Sequence, residues 1–226
     1  MKSYPSIFND CLSPVTPGPS SSNTAGPYRL GAMASDLLVG KPVHLHGEMS
    51  KKGGYFATFY GMHSDKAFLL GIMKKDLRSY NFNNIYADAD AHGLSYTYEF
   101  SDNVPNRPSE SAWLTLSSEV GDTIFVKTAS LGGGEIYIDE LDGIKTYIDG
   151  KYFYLLVRVA ANFLPSIKNM LPGTYSVADS SSGESLITVR SSTPIDTDLV
   201  SKVRTANGVL YVRSVNPVYD IIPLNN

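Results

Sequence analysis

Apolar and polar positions recur along the chain with two different periods. From Thr24 to about Val39, the residues Ala25, Tyr28, Ala32, Leu37 and Val39 fall near helical spacing, and Gly40-Lys41 would end the helix they predict. Val43–Gly47 switches to alternation and predicts a strand, with Val43 and Leu45 inward and His44 and His46 together on the outer face. Both histidines read as solvated strand positions. Residues 65–75, DKAFLLGIMKK, predict a short helix with basic residues at its C-terminal end, where they suit the helix dipole. Enrichment in Tyr, Thr, Val and Trp predicts strands at Ile85–Ala87, Leu94–Phe100, Ala112–Ser117 and Thr123–Ala129. Glu135–Glu140 and Ile144–Ile148 follow as two strands around a Leu-Asp-Gly turn. No internal repeat of fixed period interrupts this order.

The pattern changes near Gly150-Lys151. Tyr152–Ala160 is a strongly apolar strand-type run, and Asn162–Leu171 predicts a helix stopped by Pro172-Gly173. Thr174–Ala178 and Ser185–Arg190 read as strands around the loop Asp179–Glu184. Asp196–Ala206 reads as a helix, and Val209–Val215 and Val218–Ile222 as closing strand. The order β-α-β-β-α-β is the ferredoxin-like arrangement. The expected fold class is α/β in the broad sense, of the α+β kind, with one domain over residues 1–150 and a second over residues 151–226.

Composition narrows the functional classes. Of 226 residues, 42% are hydrophobic and 18% charged, which permits a sizeable core. A net charge of −3 gives no electrostatic reason to expect nucleic acid or a membrane surface as partner. No apolar run approaches the ~18 residues of a membrane span, and MKSYPSIFND has no signal-type hydrophobic region, so the cytoplasm is the expected location. The one cysteine, Cys11, allows neither an internal disulfide nor a cysteine-based metal site, and reads as a small buried apolar residue.

Three stretches could carry chemistry. GPSSSNTAG, Gly18–Gly26, places hydroxyls and an amide before a helix, whose first turn has free N–H groups and a partial positive charge suited to a carboxylate or phosphate. The plainer alternative is helix capping by Ser22 or Asn23, with Pro27 fitting best as the first helical residue. GMHSDKA, Gly61–Ala67, offers His63 as a proton-transfer group, with Ser64 or Asp65 as a cap; a hydrogen-bonded loop histidine is the alternative. SLGGG, Ser130–Gly134, permits close backbone approach or positive φ, but no Lys-Ser/Thr and no helix follow, so it is not a phosphate loop. None has metal-ligand spacing or a nucleophile triad.

In this order and spacing, the three motifs resemble the beta chain of the iron–sulfur L-serine dehydratase family. The likeness begins at SIFND (Ser6–Asp10), is densest at GPSSSNTAGPYRLG (Gly18–Gly31), and covers residues 5–150. Residues 151–226 resemble the ACT regulatory module that follows this domain in two-chain forms. The resemblance implies a [4Fe-4S] cluster held by a separate alpha chain, with one iron acting as a Lewis acid on the substrate hydroxyl. It implies β-elimination of water from serine, with aminoacrylate going on to pyruvate and ammonia. A homo- or hetero-oligomer that includes the alpha chain is expected, with a small amino acid as substrate. On this chain it implies substrate contacts from Ser20, Ser21, Ser22, Asn23, Thr24, Asp65, Ser130, Gly132 and Gly133, with His63 as the candidate catalytic residue and no metal ligand.

Two positions depart from the family pattern. Asn23 stands where the family has a histidine after the three serines, and Met62 stands at the glycine-flanked histidine of the second motif, with His63 one place later. Neither an amide nor a thioether can remove an α-proton near neutral pH. The alternative is therefore a non-catalytic, amino-acid-binding regulatory protein. A further one is an effector-binding domain such as occurs in some phosphoglycerate dehydrogenases, although no nicotinamide fingerprint is present.

Overall fold

A computed structural model describes residues 20–77 and 81–219. Cys11, the SIFND stretch and residues 220–222 of the last expected strand lie outside them.

Helix α1 (Ala25–Leu37) leads into strand β1 (Pro42–Ser50). Three helices follow, α2 (Gly54–Thr58), α3 (Ser64–Ile72) and α4 (Ile85–His92). They form a crossover, so β2 (Ser95–Ser101) pairs parallel to β1. The antiparallel strands β3 (Glu110–Ser118), β4 (Thr123–Gly132), β5 (Glu135–Leu141) and β6 (Ile144–Ile148) complete a six-stranded sheet in the order β2-β1-β3-β4-β5-β6. α1 packs on α3 and lies across β4 and β5.

A second, antiparallel sheet is built from β7 (Phe153–Ala160), β8 (Tyr175–Asp179), β9 (Glu184–Ser191) and β10 (Val209–Val215), with α5 (Leu164–Lys168) and α6 (Thr197–Arg204) in the connections. Its order, β10-β7-β9-β8, is that of a ferredoxin-like sheet. The apolar run on β7 has a cause: both of its faces are buried. Leu155, Val157 and Val159 pack with Ile167 of α5 and Val203 of α6. Tyr154 and Leu156 join the core of the six-stranded sheet, as do Leu186 and Val215. Arg213 of β10 ties the two sheets. It donates to the Leu37 carbonyl at 2.6 Å and to both carboxylate oxygens of Asp122, at 2.6 and 2.9 Å.

The fold is mixed α and β, as expected, with local differences. Ile85–Ala87 is helical. Three alanines alternate with aspartates from Ala87 to Ala91, Ile85 and Ala89 bury one turn apart, and Gly93 (φ 74°) closes the helix, so the short Ile-Tyr signal loses to helical spacing. Val43 is only half-buried because the register shifts between Pro42 and His44; Leu45, Gly47 and Met49 make the inner face. The expected helix at Asn162–Leu171 splits into a 3₁₀ turn, Ala161–Phe163, and α5. Val218 and Tyr219 form no strand.

α1 and α3 meet backbone to backbone. A Cβ at Gly71 would collide with the Tyr28 carbonyl, and one at Gly31 with the Phe68 carbonyl. Each helix carries a motif at its N-terminus, so this contact sets the distance between the two motifs.

Candidate functional site

The serine loop precedes α1 as a tight turn. Gly26 N–H donates to the Ser21 carbonyl at 3.0 Å. Pro27 is the third helical residue, not the first, where its missing N–H costs nothing because no intrahelical acceptor faces it. Ala25 therefore supplies the first-turn N–H that has no partner among the described residues. No side chain caps the helix. Thr24 sits at the N-cap but its hydroxyl points to the Met62 carbonyl, 3.4 Å away.

Asn23 is buried and used internally. Its amide nitrogen lies 3.2 Å from Ser20 Oγ and 3.3 Å from Ser22 Oγ as donor. Its Oδ1 accepts from the Thr58 hydroxyl at 2.8 Å, and its main-chain carbonyl accepts from the Ser64 hydroxyl at 2.8 Å. Ser20 and Ser22 also pair with each other at 3.1 Å. Ser21 is half-buried, and its hydroxyl has no partner among the described residues. Neither Ser22 nor Asn23 is a cap; the turn is an internally bonded platform seated on α2 and α3.

In the second motif, His63 occupies the N-cap of α3 at φ 63°, a left-handed conformation uncommon for a residue with a side chain. It makes no cap bond, and neither does Ser64, whose hydroxyl is engaged by Asn23. Asp65 is buried in the first turn of α3. Tyr86 donates to its Oδ2, and the Tyr98 hydroxyl donates to its main-chain carbonyl at 2.8 Å. Burial first, then Asp65, pushes the Tyr86 phenol far above its ordinary value; the same two causes raise Tyr98. Both phenols thus stay protonated donors at neutral pH.

SLGGG forms the β4–β5 turn. Gly132, Gly133 and Gly134 take φ of 97°, 62° and 79°, which only glycine adopts three times in succession without strain. Ser130 is fully buried against Gly26 of α1, where a Cβ would collide with its hydroxyl. Arg29 of α1 donates to the Gly134 carbonyl at 2.6 Å. All three motifs therefore meet around the start of α1.

Among the described residues, five buried side-chain polar atoms lack a hydrogen-bond partner, and three belong to these motifs: His63 Nδ1, Asp65 Oδ1 and Ser130 Oγ. Each such atom costs about 1–3 kcal/mol when it stays unpaired, so their gathering around the start of α1 makes this the candidate site among the described residues. His44 and His46 are not part of it. They pair across to Ser95 at 2.8 Å and Thr97 at 2.9 Å on β2, as outer-face strand residues do. No group of three or more His, Cys, Asp or Glu side chains able to hold a metal occurs among the described residues. No helix there is long and apolar enough to cross a membrane.

Sequence reasoning missed Thr58, Tyr86 and Tyr98. Thr58 lies on the unpredicted α2, and Tyr86 in a segment read as strand.

Comparison with known proteins bears on the family. No protein-family model matches the chain. It is 28% identical over 221 residues to the probable L-serine dehydratase, beta chain, of Bacillus subtilis (strain 168), spanning 94% of this chain and 98% of that one. It is 26% identical over 149 residues to the L-serine dehydratase, beta chain, of Peptoniphilus asaccharolyticus, 66% of each. With the first likeness running nearly end to end, and the three motifs gathered at one helix start, the chain is similar throughout to L-serine dehydratase beta chains.

Proposed function

We propose that this chain is the beta subunit of a lyase that dehydrates L-serine or a related small amino acid, and that it seats the substrate carboxylate beside the serine loop. The convergence of the three motifs on the start of α1, with unpartnered polar atoms of His63, Asp65 and Ser130, carries this reading. The Ser21 hydroxyl and the Ala25 N–H, both without a partner among the described residues, supply donors, and the positive end of α1 favours an anion. Asn23 takes no part in proton transfer, because its amide is engaged within the platform. His63 and Asp65 are this chain's candidates for moving the α-proton.

A single cysteine does not fit a [4Fe-4S] cluster, which needs three or four thiolates, so we assign the cluster to an alpha chain. The ferredoxin-like order of the second sheet supports an ACT-like module over residues 151–226. The test is reconstitution with the alpha chain from the same genome. The assembled, cluster-loaded complex is expected to release pyruvate and ammonia from serine, and the isolated chain to release none. A loaded complex inert toward every small hydroxy amino acid would overturn the reading.

The use of Asn23 as a structural residue favours a second reading, an amino-acid-binding protein without chemistry. Calorimetric binding of serine by the isolated chain, with no alpha partner in the genome, would decide for it.

A further inference from the structure

α2 divides its residues between two tasks. Tyr55 is fully buried, its ring edge-on to Phe59 at 5.8 Å and Phe68 at 6.2 Å. Thr58 points to the serine loop and bonds Asn23. Phe56 and Tyr60, by contrast, are 57% and 60% exposed, with Ala57 and Gly61 exposed beside them. The Phe56 ring stands edge-on to Phe100 of β2 at 5.3 Å, and Tyr60 edge-on to Phe59 at 5.2 Å. Two large aromatic side chains held in water, Phe56 on α2 and Tyr60 in the turn that follows it, are unfavourable in an isolated chain and are typical of an interface core.

We propose that this aromatic ridge, Phe56 and Tyr60 backed by Phe100, is the docking surface for the alpha chain. The inference rests on the functional reading above and adds where the partner sits. The occupant follows from geometry. Thr58, on the same short helix, touches the loop that is to hold the substrate, and a helix is only ~10–12 Å across with its side chains. A chain that brings a cluster to a substrate in that loop must close over the start of α1, and in doing so it reaches α2. The polar atoms of His63 and Asp65 that lack partners lie just past Tyr60 in sequence, at the start of α3, so the same closure covers them.

The experiment measures affinity of the full chain for the purified alpha chain. Variants are Phe56→Asp, Tyr60→Asp and, as control, Tyr147→Asp. Tyr147 is equally exposed, at 59%, but lies on β6 at the opposite edge of the sheet from β2. Circular dichroism and melting of each isolated variant check folding, and Phe56→Ser and Tyr60→Ser replace any aspartate variant that melts early. The expected result is a Kd at least ~30-fold weaker for the ridge variants and unchanged for Tyr147→Asp. Wild-type affinity in all variants would overturn the docking surface while leaving the functional reading intact. Equal loss in Tyr147→Asp would overturn it as well. A wild-type chain that does not bind the alpha chain would overturn both.

Discussion

Ser21 and Asn23 lie two residues apart and do different work. Asn23 builds the platform, so Asn23→Ala should lower stability by about 1–2 kcal/mol, the worth of one or two buried hydrogen bonds. In a chain of this size that is a fall in Tm of roughly 2–8 °C, read by calorimetry. Ser21, whose hydroxyl has no partner among the described residues, is the candidate to meet a ligand. Ser21→Ala should leave Tm unchanged and weaken serine binding to the assembled complex roughly ten- to a hundred-fold, as losing one charge-assisted hydrogen bond does. Unchanged affinity would place the carboxylate elsewhere. The sequence exposed the hydroxyls but not this division, because the partners of Asn23, Thr58 and Ser64, lie 35 and 41 residues away.

Helices α1 and α3 act as a unit because Gly31 and Gly71 let their backbones touch. Gly71→Ala would drive a methyl group into the Tyr28 carbonyl, which is backbone and cannot swing aside. Destabilisation of about 3 kcal/mol or more is expected, at the upper end of overpacking, together with loss of serine binding as the two motifs separate. Denaturant melts and calorimetry on one preparation check both. Elements were legible where their signals are local. The Asp142-Gly143 hairpin turn, with φ of 49° and 82°, and the alternating strands β3 to β5 fall where the pattern puts them. α2 was not legible. Gly53-Gly54 reads as a break, and of its five residues only Tyr55 is buried, too few to show a period.

Across the whole molecule, the two sheets are fastened by Arg213 and Asp122. The hydrogen bond from Arg213 holds the Asp122 carboxyl below its ordinary range, against the opposing effect of burial. A depressed folded-state value means the stabilisation is full above the unfolded value, ~3.9, and is lost as pH falls through the folded one. Asp122→Asn should therefore cost about 2 kcal/mol at pH 7, with the gap to wild type closing below pH ~4. Melts of both proteins from pH 7 to pH 3 give the difference directly, and a gap that does not narrow between pH 5 and pH 3 would show that the ion pair is not its source. The order of strands was legible in the apolar run of β7 and the breaks around it. The joint between sheets was not, since Arg213 and Asp122 stand 91 residues apart and neither carries a motif.

Asn23 holds Ser20–Thr24 in place before any ligand arrives. Ordering the backbone of such a stretch takes about 1–2 kcal/mol of conformational entropy per residue, on the order of 5–10 kcal/mol for the turn. Folding absorbs that loss through the bonds to Thr58 and Ser64. A small amino acid offers few atoms with which to offset such an ordering cost on binding. For this turn, binding becomes a matter of water released and contacts made, and a molecule as small as serine can be held by a handful of them.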